Sequence, residues 1–169
     1  MFQVVVAPPE DVVAALEPFR RLHDPAFHRH PPHIALTPTF DAADGDALLQ
    51  RFLTFRGPSV LVTFDGPRTE GSALVLPVLD EAGRVAALGA AVREAVMPAP
   101  ARALAEAIRP SLRIGHFATD AERELARRAF TASGDGIPAF IAKEATLLVE
   151  DVRGLWHGLR TVELLPPGA

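Results

Sequence analysis

Two histidines are the residues best suited to do chemistry in this chain. His33 lies in Pro32-His33-Ile34-Ala35-Leu36-Thr37-Pro38 and His116 in Leu112-Arg113-Ile114-Gly115-His116-Phe117-Ala118, both short apolar segments. Near pH 7 a neutral imidazole accepts a proton and an imidazolium donates one, so a facing pair supplies a base and an acid that can exchange roles. Such a pair suits in-line attack on a phosphodiester, where one ring activates a water or hydroxyl and the other protonates the departing oxygen. That chemistry needs no metal and no cofactor. Carbonyl chemistry would call for a nucleophile and an oxyanion hole, and no G-x-S-x-G elbow is present.

The elements around the two histidines follow one order twice. Phe2 to Ala7 reads as a strand, and Val12, Val13, Leu16, Phe19 and Leu22 recur at helical spacing up to the break at Asp24-Pro25. The segment around His33 alternates as a strand, with His33, Ala35 and Thr37 on one face; Asp46 to Phe55 is a helix and Ser59 to Phe64 a strand. The second pass runs through a strand at Ser72 to Val78, a helix at Val85 to Val96 and a partly helical stretch from Pro98 to Pro110. It continues with a strand at Leu112 to Ala118, a helix from Asp120 to Phe130 and a strand within Phe140 to Glu150. His33 precedes Ser59 by 26 positions and His116 precedes Ile141 by 25, which predicts equivalent places for the two rings. A terminal hairpin, Thr146 to Glu150 with Leu155 to Leu165, closes the plan. The expected fold is a single α+β domain over 1–169. It is bilobal, a pseudo-symmetric duplication of a β-α-β-α-β unit with halves near 1–70 and 71–169 and antiparallel sheets around a central cleft.

Composition narrows the partners. The 169 residues are 49% hydrophobic and 22% charged, a globular balance, and the net charge of -4 argues against an extended nucleic-acid surface. A short RNA end or a small nucleotide remains a suitable ligand. Cysteine is absent, which excludes disulfides and thiolate chemistry, and Lys143 is the sole lysine. Met1 to Pro9 carries no positive n-region and too short an apolar run for a signal peptide or membrane span, which predicts a cytoplasmic protein without a membrane partner.

The chain resembles the two-histidine phosphoesterases, which include the bacterial 2′-5′ RNA ligase-like proteins. The likeness rests on His23-Asp24-Pro25-Ala26-Phe27 leading into Pro31-Pro32-His33-Ile34-Ala35-Leu36, on Ile114-Gly115-His116-Phe117-Ala118-Thr119, and on the hairpin ending Val162-Glu163-Leu164-Leu165. It implies a bilobal duplicated fold, two His-x-Thr/Ser-x motifs lining one cleft, catalysis by His33 and His116, and activity on 2′,3′-cyclic phosphates or 2′-5′ linkages of RNA ends and nucleotides. The motif hydroxyls, however, are replaced by Ala35 and Ala118. A hydrogen bond to a charged group is worth about 1.5–3 kcal/mol, so their loss favours a second reading, a weakened or inactive relative that only binds a phosphorylated nucleotide or RNA end.

Thr37 and Thr119 are the hydroxyls nearest the two motifs, and Arg29, His30 and Arg113 are nearby groups able to hold phosphate. His23, His28, His30 and His33 lie within eleven positions, but Pro31-Pro32 interrupts them and no zinc motif is matched. His157 beside Trp156 reads as cross-strand packing. A third reading makes the cleft a docking site for another protein.

Overall fold

The computed structural model describes residues 1–104, 109–133 and 136–166. In chain order the first half holds β1 (Phe2–Val6), α1 (Glu10–His23), β2 (Ile34–Ala35), α2 (Gly45–Thr54), β3 (Val60–Val62) and β4 (Arg68–Glu70). The second holds β5 (Ala73–Pro77), α3 (Arg84–Val96), α4 (Ala99–Leu104), β6 (Ser111–His116), α5 (Asp120–Ser133), β7 (Phe140–Ala142), β8 (Glu144–Glu150) and β9 (Trp156–Glu163). The stretch expected to be partly helical contains α4; its residues 105–108 lie outside the described residues.

The strands form a seven-stranded antiparallel sheet, β4-β5-β6-β2-β1-β8-β9, and a separate ribbon of β3 with β7. The two sides of the larger sheet, β4-β5-β6 and β2-β1-β8-β9, each draw strands from both halves of the chain and meet at β2 and β6, where Ile34 pairs with Leu112. Alternation along each strand separates the faces. Val4, Val6, Ile34, Leu36, Leu74, Leu76, Leu112 and Ile114 join Leu16 of α1, Phe52 of α2 and Leu88 and Val92 of α3 in one core. Val5 faces the other way, in a small cluster with Leu148 and Trp156. Gln3, Ala35, Val75, Ser111 and Arg113 share that second face and form the floor of a cleft.

Local chemistry explains the helix ends. Asp44 caps α2 by accepting from the Ala47 N–H at 3.0 Å. α1 starts with Glu10 and Asp11 and ends with Arg20, Arg21 and His23, the charge order its dipole favours. Strand β4 was not expected: all three of its residues are exposed, so it shows no apolar alternation. It is held instead by the turn at Gly71, where φ is +56°, and by the Arg123 guanidinium, which donates to the Gly71 carbonyl.

The register revises the expected equivalence of the two histidines. In one half Ile34 pairs with Val6 and Ala35 with Val5; in the other Leu112 pairs with Leu76 and Arg113 with Val75. Ile34 therefore corresponds to Leu112, and the residue corresponding to His33 is Ser111. His116 is five positions further on, at the end of β6. Counting from the following strand misleads because it ignores where β6 meets β5. The register also slips between Leu74 and Val75, leaving Ile114 unmatched. This bulge puts Gly115 on the core side, where a Cβ would come within 2.7 Å of the Phe117 ring. It returns His116 to the cleft side of the sheet, opposite Ala73.

Candidate active site

The cleft encloses about 300 Å³ and takes His30, His33, Ser111 and Arg113, with Gln3, Thr39 and Glu70 among its other polar walls. That is the lower end of the usual size for a small-molecule site. His30 and His33 arrive on the loop after α1, and a buried ion pair anchors that loop. Arg20 and Asp24 lie 2.9 Å apart with side chains only 3% and 1% exposed. Arg20 Nη2 also donates to the His30 carbonyl at 2.7 Å, and the Asp24 carboxylate accepts from the Ala26 N–H at 3.0 Å. Both charges are thus hydrogen-bonded as well as paired, which a buried pair requires. From the other side, the His30 ring stacks on Trp156 with centroids 5.8 Å apart, and the Trp156 backbone N–H donates to the Arg29 carbonyl.

The tautomer of His33 follows from one contact. Its Nδ1 lies 2.8 Å from the Pro31 carbonyl, which can only accept, so Nδ1 carries the proton and Nε2 keeps its lone pair. Burial, reinforced by the Arg113 charge, lowers the pKa of His33 to about 4 against the opposing pull of the Pro31 bond. Burial and Arg113 likewise hold His30 at about 4. Both rings are therefore neutral at pH 7, with centroids 6.4 Å apart. The His30 Nδ1 is buried without a hydrogen-bond partner. Arg113 is pulled below the usual guanidinium value by burial, with Asp24 opposing, yet it stays a cation. Among the described residues no carboxylate lies within ion-pair distance of it. The arrangement offers one fixed positive charge and an imidazole lone pair in the same small space.

Of the residues expected to form the site, the cleft gathers His33, His30 and Arg113. His116 does not line it. Its ring is exposed, with both nitrogens 3.4 Å from Ser72 Oγ, and it stands three residues past Arg113, roughly 10 Å along the strand. Thr37 is fully buried and its hydroxyl accepts from the Val4 N–H at 2.9 Å, so it holds the sheet rather than a ligand. Thr119 caps α5: its hydroxyl accepts from the Glu122 N–H while the Glu122 carboxylate accepts from the Thr119 N–H. Arg29 is exposed outside the cleft lining and contributes its backbone carbonyl to Trp156. Among the described residues no three histidine or acidic side chains gather as a metal ion would require. Ser111, Gln3 and Glu70 were not anticipated. One signal for Ser111 was present, since Pro110 precedes it as Pro32 precedes His33.

Comparison with known proteins bears on the family. The profile of the 2′-5′ RNA ligase superfamily matches residues 8–153. The chain belongs to the 2′-5′ RNA ligase superfamily. This agrees with its resemblance to the two-histidine phosphoesterases, although in this member of the superfamily the position in the second half that corresponds to His33 is held by a serine, Ser111. Crystal structures of E. coli LigT share the fold at 16% identity. The apo form has a TM-score of 0.65, covering 97% of this chain and 96% of that one. The complex with 3′-AMP has a TM-score of 0.64 and covers 97% of both chains. The protein TT0787 of Thermus thermophilus is similar at 12% identity, with a TM-score of 0.66 and 98% of each chain covered. No curated protein matches the sequence. No helix among the described residues is long and apolar enough to cross a membrane.

Proposed function

We propose that the cleft is the active site of a metal-independent cytoplasmic phosphodiesterase acting on 2′,3′-cyclic phosphates or 2′-5′-linked ends of RNA and nucleotides. The observation that carries this reading is the free Nε2 lone pair of His33 beside the Arg113 guanidinium, which has no carboxylate partner among the described residues. Arg113 anchors the phosphate with paired N–H groups. His33 Nε2 removes the proton from the attacking water, whose oxygen bonds to phosphorus as the bond to a ribose oxygen breaks. Superfamily membership and a LigT structure holding 3′-AMP support a small nucleotide as ligand.

Protonation of the departing oxygen is the step this cleft serves least. Ser111 occupies the place corresponding to His33 and is a far weaker acid than an imidazolium, while His116 sits beyond the lining. One acid–base group contributes about 10²–10⁴-fold, so turnover slower by that order than with a full histidine pair is expected. The same serine favours the second reading, a relative that binds without turning over. Hydrolysis of 2′,3′-cyclic nucleotides by the wild type, His33→Ala and His116→Ala separates these readings. The expected result is measurable wild-type turnover, abolished in His33→Ala and changed less than about tenfold in His116→Ala. Ligand binding with no turnover would select the binding-only relative, and a loss in His116→Ala equal to that in His33→Ala would restore His116 as the partner acid.

A further inference from the structure

The end of the cleft away from His33 carries a feature that phosphate chemistry does not use. Glu70 lines the cleft from β4, and it pairs in register with Ala73, which in turn pairs with His116. The three form one row across the sheet, with the small Ala73 side chain between two long ones. The backbones of Glu70 and His116 are two strand spacings apart, about 10 Å, with only the small Ala73 side chain rising between them. No hydrogen bond or ion pair engages the Glu70 carboxylate among the described residues. An acidic wall is unfavourable for an anion, so the Arg113 and Glu70 charges orient a ligand: phosphate toward Arg113, and a group rich in hydrogen-bond donors toward Glu70.

We infer that Glu70 is a specificity-determining residue that selects a guanine base, with His116 just beyond the cleft lining at the far border of the base subsite. This rests on the reading of the Arg113 end as a phosphate site. A carboxylate is acceptor-only and presents two oxygens side by side. Guanine answers it with two adjacent donors on one edge, N1–H and the N2 amino group. Adenine offers a single donor beside the N1 acceptor, which a carboxylate repels. Glutamine at the same position presents one acceptor and one donor, which fits adenine N1 and N6–H and guanine O6 and N1–H alike and so does not discriminate between them.

The test is titration calorimetry of the intact protein with guanosine 3′-monophosphate and adenosine 3′-monophosphate, each with and without inorganic phosphate as competitor, in wild type and Glu70→Gln. The wild type is expected to prefer guanine by about tenfold or more, the order set by one bidentate pair. Glu70→Gln is expected to abolish that preference while binding inorganic phosphate at least as tightly. An unchanged guanine-to-adenine ratio in Glu70→Gln, with phosphate still competing, would overturn the assignment of Glu70 and leave the phosphate site standing. Failure of phosphate to bind or compete in the wild type would overturn both.

Discussion

His33 and Arg113 divide the work of the cleft by charge. Arg113 is the standing cation, and His33 is held neutral by burial and by that cation, with its one ring proton directed at the Pro31 carbonyl. A base with a pKa of about 4 is already deprotonated at neutral pH. The acidic limb of kcat/KM is therefore expected near pH 4, with a flat profile from about pH 5 to 7; a limb centred at the ordinary histidine value near 6.5 would show that His33 is not the group titrating. Arg113→Ala is expected to weaken nucleotide binding by roughly 10- to 150-fold, the equivalent of one charged hydrogen bond, measurable by calorimetry. Legibility in the sequence was uneven at this scale. His33 stood out because Pro32 fixes the start of an alternating segment, but the second histidine drew attention away from Ser111, the residue that shares its register position. A bulge cannot be seen in alternation alone, so the side on which His116 emerges was not readable. Thr37 had the right parity for the cleft face, and only the hydrogen bond from Val4 shows it turned into the sheet.

At the level of elements, the site depends on the end of α1. Arg20 and Asp24 pair at the end of the helix, Arg20 donating to the His30 carbonyl and Asp24 accepting from the Ala26 N–H, so the loop bearing both cleft histidines is fastened by a pair of buried charges. Replacing Asp24 by Ala leaves Arg20 buried and uncompensated, which is expected to cost about 3–5 kcal/mol in denaturant unfolding. Leu112, fully buried at the meeting of β2 and β6, is expected to cost about 2–5 kcal/mol when cut to alanine. The strand and helix order was legible because most of these elements carry a buried stripe, as in α1 with Val12 and Leu16 and β5 with Leu74 and Leu76. The strand β4 lacked one, and its hairpin, which brings Glu70 to the cleft, went unread for that reason.

For the molecule as a whole, two half-buried histidines with depressed pKa values make stability depend on pH. Both rings fall from 6.5 to about 4 on folding. Between those values the unfolded chain binds more protons than the native protein, so stability rises with pH across this window and is lost as pH falls from about 6.5 to 4. Thermal melts at pH 7 and pH 4.5 should differ accordingly, and a His30→Phe, His33→Phe double variant should show a shallower dependence. Phosphate, bound only by the native state, should raise the melting temperature at pH 7 and lose that effect in Arg113→Ala.

The sheet joins its halves at one register pair, Ile34 with Leu112, and the cleft lies over this seam with His33 on one bank and Arg113 on the other. A phosphate bridging those two side chains would act as a staple across that seam. Ligand would then slow amide hydrogen exchange at Ile34 and Leu112 more than at the outer strands β4 and β9, and the occupied cleft would double as the fastening between the two halves.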